Sequence, residues 1–311
     1  MEEIISLNDN KHISLTLASI IVNYKSEERT IKYIKEELQP KCNLSQVIII
    51  VNNGATEEST KKLCNNLNAY RVNDITCNIP FSTIYVIHNI NNSGFARGNN
   101  LGVDFVSEHF NVKYILFSNN DIRFIASNVI ESLIDKLKSH PDVGIIGPKV
   151  IGLDGNCQSP NEYVPFWTEM VGQYWERFIP FYHIKHFNQN NATEGYYYRI
   201  MGSFFIVRYN DFIKCGKFDS NTFLYGEEAI LSERMNTIGK RNYYLPTVAV
   251  LHEHGCTTTK HLNQVKGNFL MFDSLSYYYQ SYKGIRKISI LLAKLSMLIY
   301  SYLQYFSRLF K

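Results

Sequence analysis

The chain has 311 residues, 45% hydrophobic, 14% aromatic and 19% charged, long and apolar enough to bury a large core and unlike a disordered, collagenous or disulfide-knotted chain. Its formal charge of +4 is uneven: from Ser274 onward there is no acid, and Lys283, Arg286, Lys287, Lys294, Arg308 and Lys311 give that tail +6, which leaves −2 for residues 1–273. A weakly acidic body argues against broad capture of nucleic acid, which needs basic residues spread over the contact face.

The start, Met1-Glu2-Glu3, has neither the basic nor the apolar region of a secretory signal, so a reducing compartment is expected. Six cysteines, Cys42, Cys64, Cys77, Cys157, Cys215 and Cys256, form no CxxC pair and no zinc or disulfide spacing, which predicts reduced, packed residues. Leu17–Val22 and Val47–Val51 are short β-branched runs ending at polar residues, with a helical stretch at Glu27–Leu38 between them, a βαβ unit. Thr83–Ile87 reads as a third strand, followed by an Asn/Gly-rich loop and a helix over roughly Asn99–His109. Val112–Phe117 is a fourth, ending in Ser118-Asn119-Asn120-Asp121. A helix at Ser127–Lys138 and a strand at Gly144–Gly147 follow, then an irregular aromatic stretch, Gly152–Arg199, whose Trp167 and Trp175 are expected mostly in the core. Ser203–Val207 reads as a strand, Phe223-Leu224-Tyr225-Gly226-Glu227-Glu228 as opening a helix to about Ile238, and Thr247–Leu251 as a strand that ends at His252-Glu253-His254. Alternating strands and helices predict an α/β fold, a mainly parallel sheet covered on both faces. Ligands then sit beyond the carboxyl ends of the strands, here Asn23-Tyr24, Asn52-Asn53 and Asn119-Asn120-Asp121. No repeat or linker divides the body, so residues 1–273 read as one domain and 274–311 as a tail.

There is no GxGxxG after the first strand and no GxxxxGK anywhere, against a dinucleotide dehydrogenase or a P-loop enzyme. In their place, Ala18-Ser19-Ile20-Ile21-Val22-Asn23-Tyr24-Lys25, Val51-Asn52-Asn53-Gly54, Asn92-Ser93-Gly94-Phe95-Ala96-Arg97-Gly98-Asn99-Asn100, Asn119-Asn120-Asp121, Phe223-Leu224-Tyr225-Gly226-Glu227-Glu228 and His252-Glu253-His254-Gly255 occur in order. Together they resemble a family 2 glycosyltransferase, especially its rhamnosyltransferase-like branch, from about Leu17 to Thr258.

The resemblance implies a GT-A fold, with a nucleotide-sugar-binding half at about 14–125 and an acceptor half at about 126–260. It implies an inverting transfer of a sugar, rhamnose the leading guess, from a dTDP- or UDP-sugar to a hydroxyl of a surface polysaccharide or a polyprenyl-linked glycan. Such a reaction needs a base for the acceptor hydroxyl and neutralisation of the departing diphosphate. By the match, Glu228 is the base, with Glu227 able to share the work, and Asp121 with His252 holds Mg2+ or Mn2+ against the diphosphate. His254 is the second choice to His252. Asn23, Tyr24, Asn52, Asn92, Gly94, Phe95, Arg97, Asn100 and Asn120 are the expected donor-binding residues, Arg97 as a partner for phosphate. Asn52 stands where the family usually has Asp, Asn119-Asn120-Asp121 has one carboxylate, and Glu228 replaces Asp. The same departures fit a degenerate protein that binds nucleotide sugar or glycan without turnover.

In the tail, Ile288, Leu291, Leu292, Leu295, Leu298, Ile299, Tyr302, Leu303 and Phe306 recur with helical spacing, interrupted by Lys294. That run is short for a membrane span. A basic amphipathic helix lying on the inner face of the cell membrane is expected, with a helix packed on the body or on a second subunit as the alternative.

Overall fold

A computed structural model describes residues 13–172, 175–176, 186–253 and 264–309. The sheet begins with β1 (Ile13–Asn23), β2 (Gln46–Asn53), β3 (Tyr70–Val72), β4 (Ile84–Asn89) and β5 (Phe110–Ser118), which pair in parallel in the order β3-β4-β2-β1-β5. Their central residues are buried on both faces, as all-parallel strands between helix layers must be. Below the sheet lie α1 (Glu27–Lys32), continued by a π turn at Tyr33–Leu38, and α2 (Glu57–Leu67). A reciprocal box of Thr56 and Ser59 caps α2, and Asn68 ends it in a left-handed conformation. On the opposite face, α3 (Gly94–His109) packs Ala96, Val103, Phe105 and Val106 against β1, β2 and β5.

The second half continues the same sheet. β6 (Ile122–Phe124), α4 (Val129–Ser139), β7 (Val143–Gly152), β8 (Gly195–Tyr197), β9 (Phe204–Arg208), α5 (Tyr209–Lys214), α6 (Glu227–Thr237) and β10 (Arg241–His252) complete the body. β9 runs antiparallel between β5 and β7, β10 pairs in parallel with β7, and β6 and β8 each pair antiparallel with β10. The expected mainly parallel sheet is therefore wholly parallel only in its first half.

Two boundaries differ from those read in the sequence. The Asn/Gly-rich segment is already helix from Gly94, since Gly94 takes the left-handed φ of 83° that turns the chain off β4. The division at 273/274 falls inside α7 (Gln264–Lys283), which buries Phe272, Leu275, Tyr278 and Tyr279 against α6 and Phe166. Tyr277 and Tyr282 donate to Asp219, and Tyr279 donates to Glu169, so α7 belongs to the body. Only α8 (Lys287–Leu309) stands as a tail, seated through Ala293 and Met297 and through a bond from Trp175 Nε1 to Ser296 Oγ. Trp167, expected in the core, is 50% exposed.

Candidate active site

At the carboxyl ends of β1, β2 and β5, where polar strand ends placed it, opens a cleft of about 940 Å3. Asp121 follows β5 by a tight turn, and its carbonyl accepts from Glu253 N at 2.9 Å. That bond extends the β6–β10 ladder and brings His252 opposite Ile122. As a result His252 Nε2 lies 3.3 Å from Asp121 Oδ1. The other ring nitrogen, Nδ1, donates to Gln158 Oε1 at 2.8 Å, so in the neutral ring Nε2 carries the lone pair. Burial by itself would raise the Asp121 carboxyl, but a proton donated from His252 Nε2 and the Arg29 guanidinium, 3.9 Å away, outweigh it and hold it below the usual carboxylate range.

When the ring is neutral two acceptors face each other, and Asp121 Oδ1 is buried with no other hydrogen-bond partner among the described residues. A cation between them resolves both problems, so the pair fits a hard divalent ion whose other positions are filled by substrate phosphates and water. The described residues contain no group of three or more His, Cys, Asp or Glu poised to hold a metal unaided. His254 lies outside the described residues.

Across the cleft, Tyr225 and Gly226 take φ of 75° and 80° and turn the chain sharply into α6. A bulky residue at positive φ costs about 1–3 kcal/mol, and here the turn aims Glu227 and Glu228 at the cleft. Glu228 is half-buried, and its Oε1 accepts from Gly202 N at 3.1 Å. Gly202 must be glycine for this contact, because a Cβ there would overlap the Glu228 carboxylate. Glu227 is 4% exposed with Oε1 unpartnered. Burial, reinforced by the neighbouring Glu228, pushes its carboxyl up to about 8.

The donor-side expectations divide. Tyr24, Asn92, Gly94, Phe95 and Asn120 line the cleft. Asn23 and Asn52 do not: both are buried and their amides are spent on each other and on Ser26, Thr30, Ser59 and Thr60. These bonds fasten β1 to β2 and to the helices behind, and neither residue is among those lining the cleft, where nucleoside contact is expected of them. Asn53, one residue on, lines the cleft and holds Asn92, Ser93 and the Gly94 carbonyl. Arg97 and Asn100 face away. Arg97 Nε donates to the Ser220 carbonyl, Asn100 clasps the Phe218 backbone in both directions, and both line a separate depression with Asp104 and Lys217. Arg97, expected to partner phosphate, is therefore not among the residues that line the cleft. Ser26, Gln158, Asn161, Glu169 and Arg199 line the cleft without having been singled out in the sequence.

Comparisons with known proteins bear on the family and the fold. Residues 19–212 match the model of the family described as glycosyl transferase family 2. An N-acetylglucosaminyl-diphospho-decaprenol L-rhamnosyltransferase of Mycobacterium tuberculosis (strain H37Rv) is 24% identical over 152 residues, 47% of this chain and 48% of that protein. The rhamnosyltransferase WbbL of Escherichia coli (strain K12) is 37% identical over 51 residues, 16% of this chain and 19% of that protein. The chain thus aligns with about half the length of the first of these relatives and less of the second. Among solved structures, a mannosyltransferase from Pyrobaculum calidifontis in complex with GDP-Man and Mn2+ superposes with a TM-score of 0.54 over 92% of this chain and 71% of that one, at 11% identity, a likeness of fold. With the family model matching more than half of its length, and with a GT-A sheet and cleft, the chain belongs to glycosyl transferase family 2.

Proposed function

We propose that the protein is an inverting transferase that moves a sugar, rhamnose first among the candidates, from a dTDP- or UDP-sugar to a hydroxyl of a polyprenyl-linked glycan or surface polysaccharide. The observation that carries this reading is the convergence of Asp121 and His252 with Glu227 and Glu228 on one cleft. In the reaction the acceptor oxygen forms a bond to the anomeric carbon as the bond from that carbon to the diphosphate oxygen breaks. Glu228 Oε2 takes the acceptor proton while Oε1 stays on the Gly202 amide, which fixes the carboxylate in place. Glu227 keeps its own proton near neutrality, so the two acids do different work. Asp121 and His252 would hold Mg2+ or Mn2+, which supplies positive charge to the departing diphosphate when bound. Tyr24, Asn53 and Asn92 form the wall that would receive the nucleoside.

The two relatives named for rhamnosyl transfer support that donor, and the decaprenol-linked acceptor of the first supports a lipid-linked one. The tail supports a location at the inner face of the membrane. The test is turnover of labelled dTDP- and UDP-sugars, including slow hydrolysis to free sugar, with Mn2+ or with chelator. Transfer that is unaltered in both Glu228→Gln and Asp121→Ala overturns the mechanism, and nucleotide-sugar binding without any turnover favours the degenerate binder.

A further inference from the structure

Arg199 is the sole Arg or Lys among the described residues that line the cleft, and it has no part in the mechanism above. Its backbone is fixed by a reciprocal pair with Asn161, Arg199 N to Asn161 O at 3.0 Å and the reverse at 2.9 Å. Its side chain makes one ion pair among the described residues, with Glu169. The hydrogen bond it makes among the described residues runs from Nη2 to Glu169 Oε1 at 3.5 Å, the outer limit for such a bond. Glu169 does not depend on it, because Glu169 Oε2 accepts from Tyr279 at 2.6 Å. A guanidinium has five N–H donors, and most of these remain for a ligand.

The surroundings indicate what kind of ligand. The lining acids are Asp121, Glu169, Glu227 and Glu228, so an anion in the cleft that is not held through a metal has Arg199 as its described cationic partner. Ile200 and Met201 follow it, and Leu270, Met271 and Leu275 of α7 form an apolar wall in the same cleft. The short turn that carries Glu169 also carries Met170, which packs with Ala293 and Met297 of α8. Arg199 is three residues before Gly202, whose amide holds Glu228. Arg199, Glu228 and these apolar residues of α7 thus line one and the same cleft.

We propose that Arg199 anchors the acceptor by gripping a phosphate of an amphiphilic, lipid-phosphate-linked glycan, with the start of its apolar chain along Leu270, Met271 and Leu275. The proposal rests on the glycosyl-transfer reading. A planar guanidinium meets phosphate oxygens in pairs, which fixes the distance from phosphate to the sugar hydroxyl that Glu228 must deprotonate.

The full chain, saturated with UDP and Mn2+ so that the donor position is filled, is titrated with farnesyl diphosphate and separately with farnesol. Farnesyl diphosphate is expected to bind at least about tenfold more tightly than farnesol, Arg199→Gln to remove about tenfold of that affinity, and Arg199→Lys to retain an intermediate share. UDP affinity is expected to stay within about twofold in both variants, which reports an intact donor side. Equal binding of the diphosphate and the alcohol, or an Arg199→Gln variant that matches wild type, overturns this proposal alone. Failure of the wild type to bind UDP overturns the nucleotide-sugar reading and this proposal with it.

Discussion

Glu227 and Glu228 are neighbours in sequence and differ in surroundings: one carboxyl is sealed with an unpartnered oxygen, the other is half-open and held by the Gly202 amide. If Glu228 is the base, Glu228→Gln lowers kcat about 10²- to 10⁴-fold with donor KM little changed, read from steady-state transfer rates. Glu227 makes a separate prediction through stability. Folding raises its carboxyl from an ordinary 4.5 to about 8, so the native state keeps a proton that the unfolded chain releases earlier. The stability contributed by that proton is complete below about 4.5 and is lost as pH rises through about 8. Melting temperatures measured across this window should therefore fall for wild type relative to Glu227→Gln, whose neutral amide has no proton to lose. Parallel curves would remove the assignment. Asp121 and His252 predict a third result: Asp121→Asn should need a higher Mn2+ concentration for half-maximal transfer, because a carboxylate is replaced by a neutral ligand beside the same imidazole. A metal titration reads this directly.

At the scale of elements, the site depends on contact between two segments far apart in sequence. Phe95 N donates to the Phe223 carbonyl at 2.9 Å, and a Cβ on Gly94 would overlap that same oxygen. Gly94→Ala thus meets two penalties, a clash and a φ of 83°, and should cost about 2–4 kcal/mol in denaturant unfolding. It should also lower kcat, since Phe223 leads directly into Glu227 and Glu228; an Ala variant with wild-type stability and rate would refute the coupling. The same segment explains why some residues were legible in the sequence and others were not. The order of strands and their polar ends followed from β-branched runs and breakers, and the cleft stands where those ends pointed. Arg97, expected at phosphate from the match to the family, lies in a segment that reads as loop in the sequence and is helix from Gly94. Arg97, Asn100, Leu101 and Asp104 then share one helical face, turned to the second depression and away from the cleft. Asn52 and Asn53 differ by one position on a strand, and period-two alternation sends one inward and the other to the cleft. Nothing local distinguishes them. Arg199 lay in an aromatic stretch without periodicity, so only the three-dimensional fold brings it beside Glu169.

Taken as a whole molecule, the chain separates charge by position: an acidic cleft in the body, and cations without acids beyond Asp273. α8 uses a narrow stripe, Ala293 and Met297, for docking, and leaves Ile288, Leu291, Leu292, Leu295, Leu298, Ile299, Tyr302 and Leu303 between 43% and 63% exposed. The side chain of Phe306, the last of the expected stripe, lies outside the described residues. Apolar exposure on that scale marks a surface with a use. No helix among the described residues is long and apolar enough to cross a membrane, and Lys294 sits within the apolar run, so the arrangement suits a helix lying in an interface. Lys283 is committed to Glu233, which leaves Arg286, Lys287 and Lys294 among the described cations for anionic headgroups. At about 1 kcal/mol each near an anionic surface, these three cations would contribute about 3 kcal/mol, falling as salt rises. The expected outcome is flotation of the full chain with vesicles containing phosphatidylglycerol, weaker with neutral vesicles and in high salt. Removing residues 285–311 also uncovers the surface under Ala293 and Met297, so the more telling variant carries Leu291→Asn, Leu295→Asn and Leu298→Asn together. Those side chains are exposed, and their replacement should leave the melting temperature in place while abolishing flotation. Flotation equal to wild type in that variant would assign the apolar face to a second subunit, which sedimentation of the wild type would then reveal as a dimer.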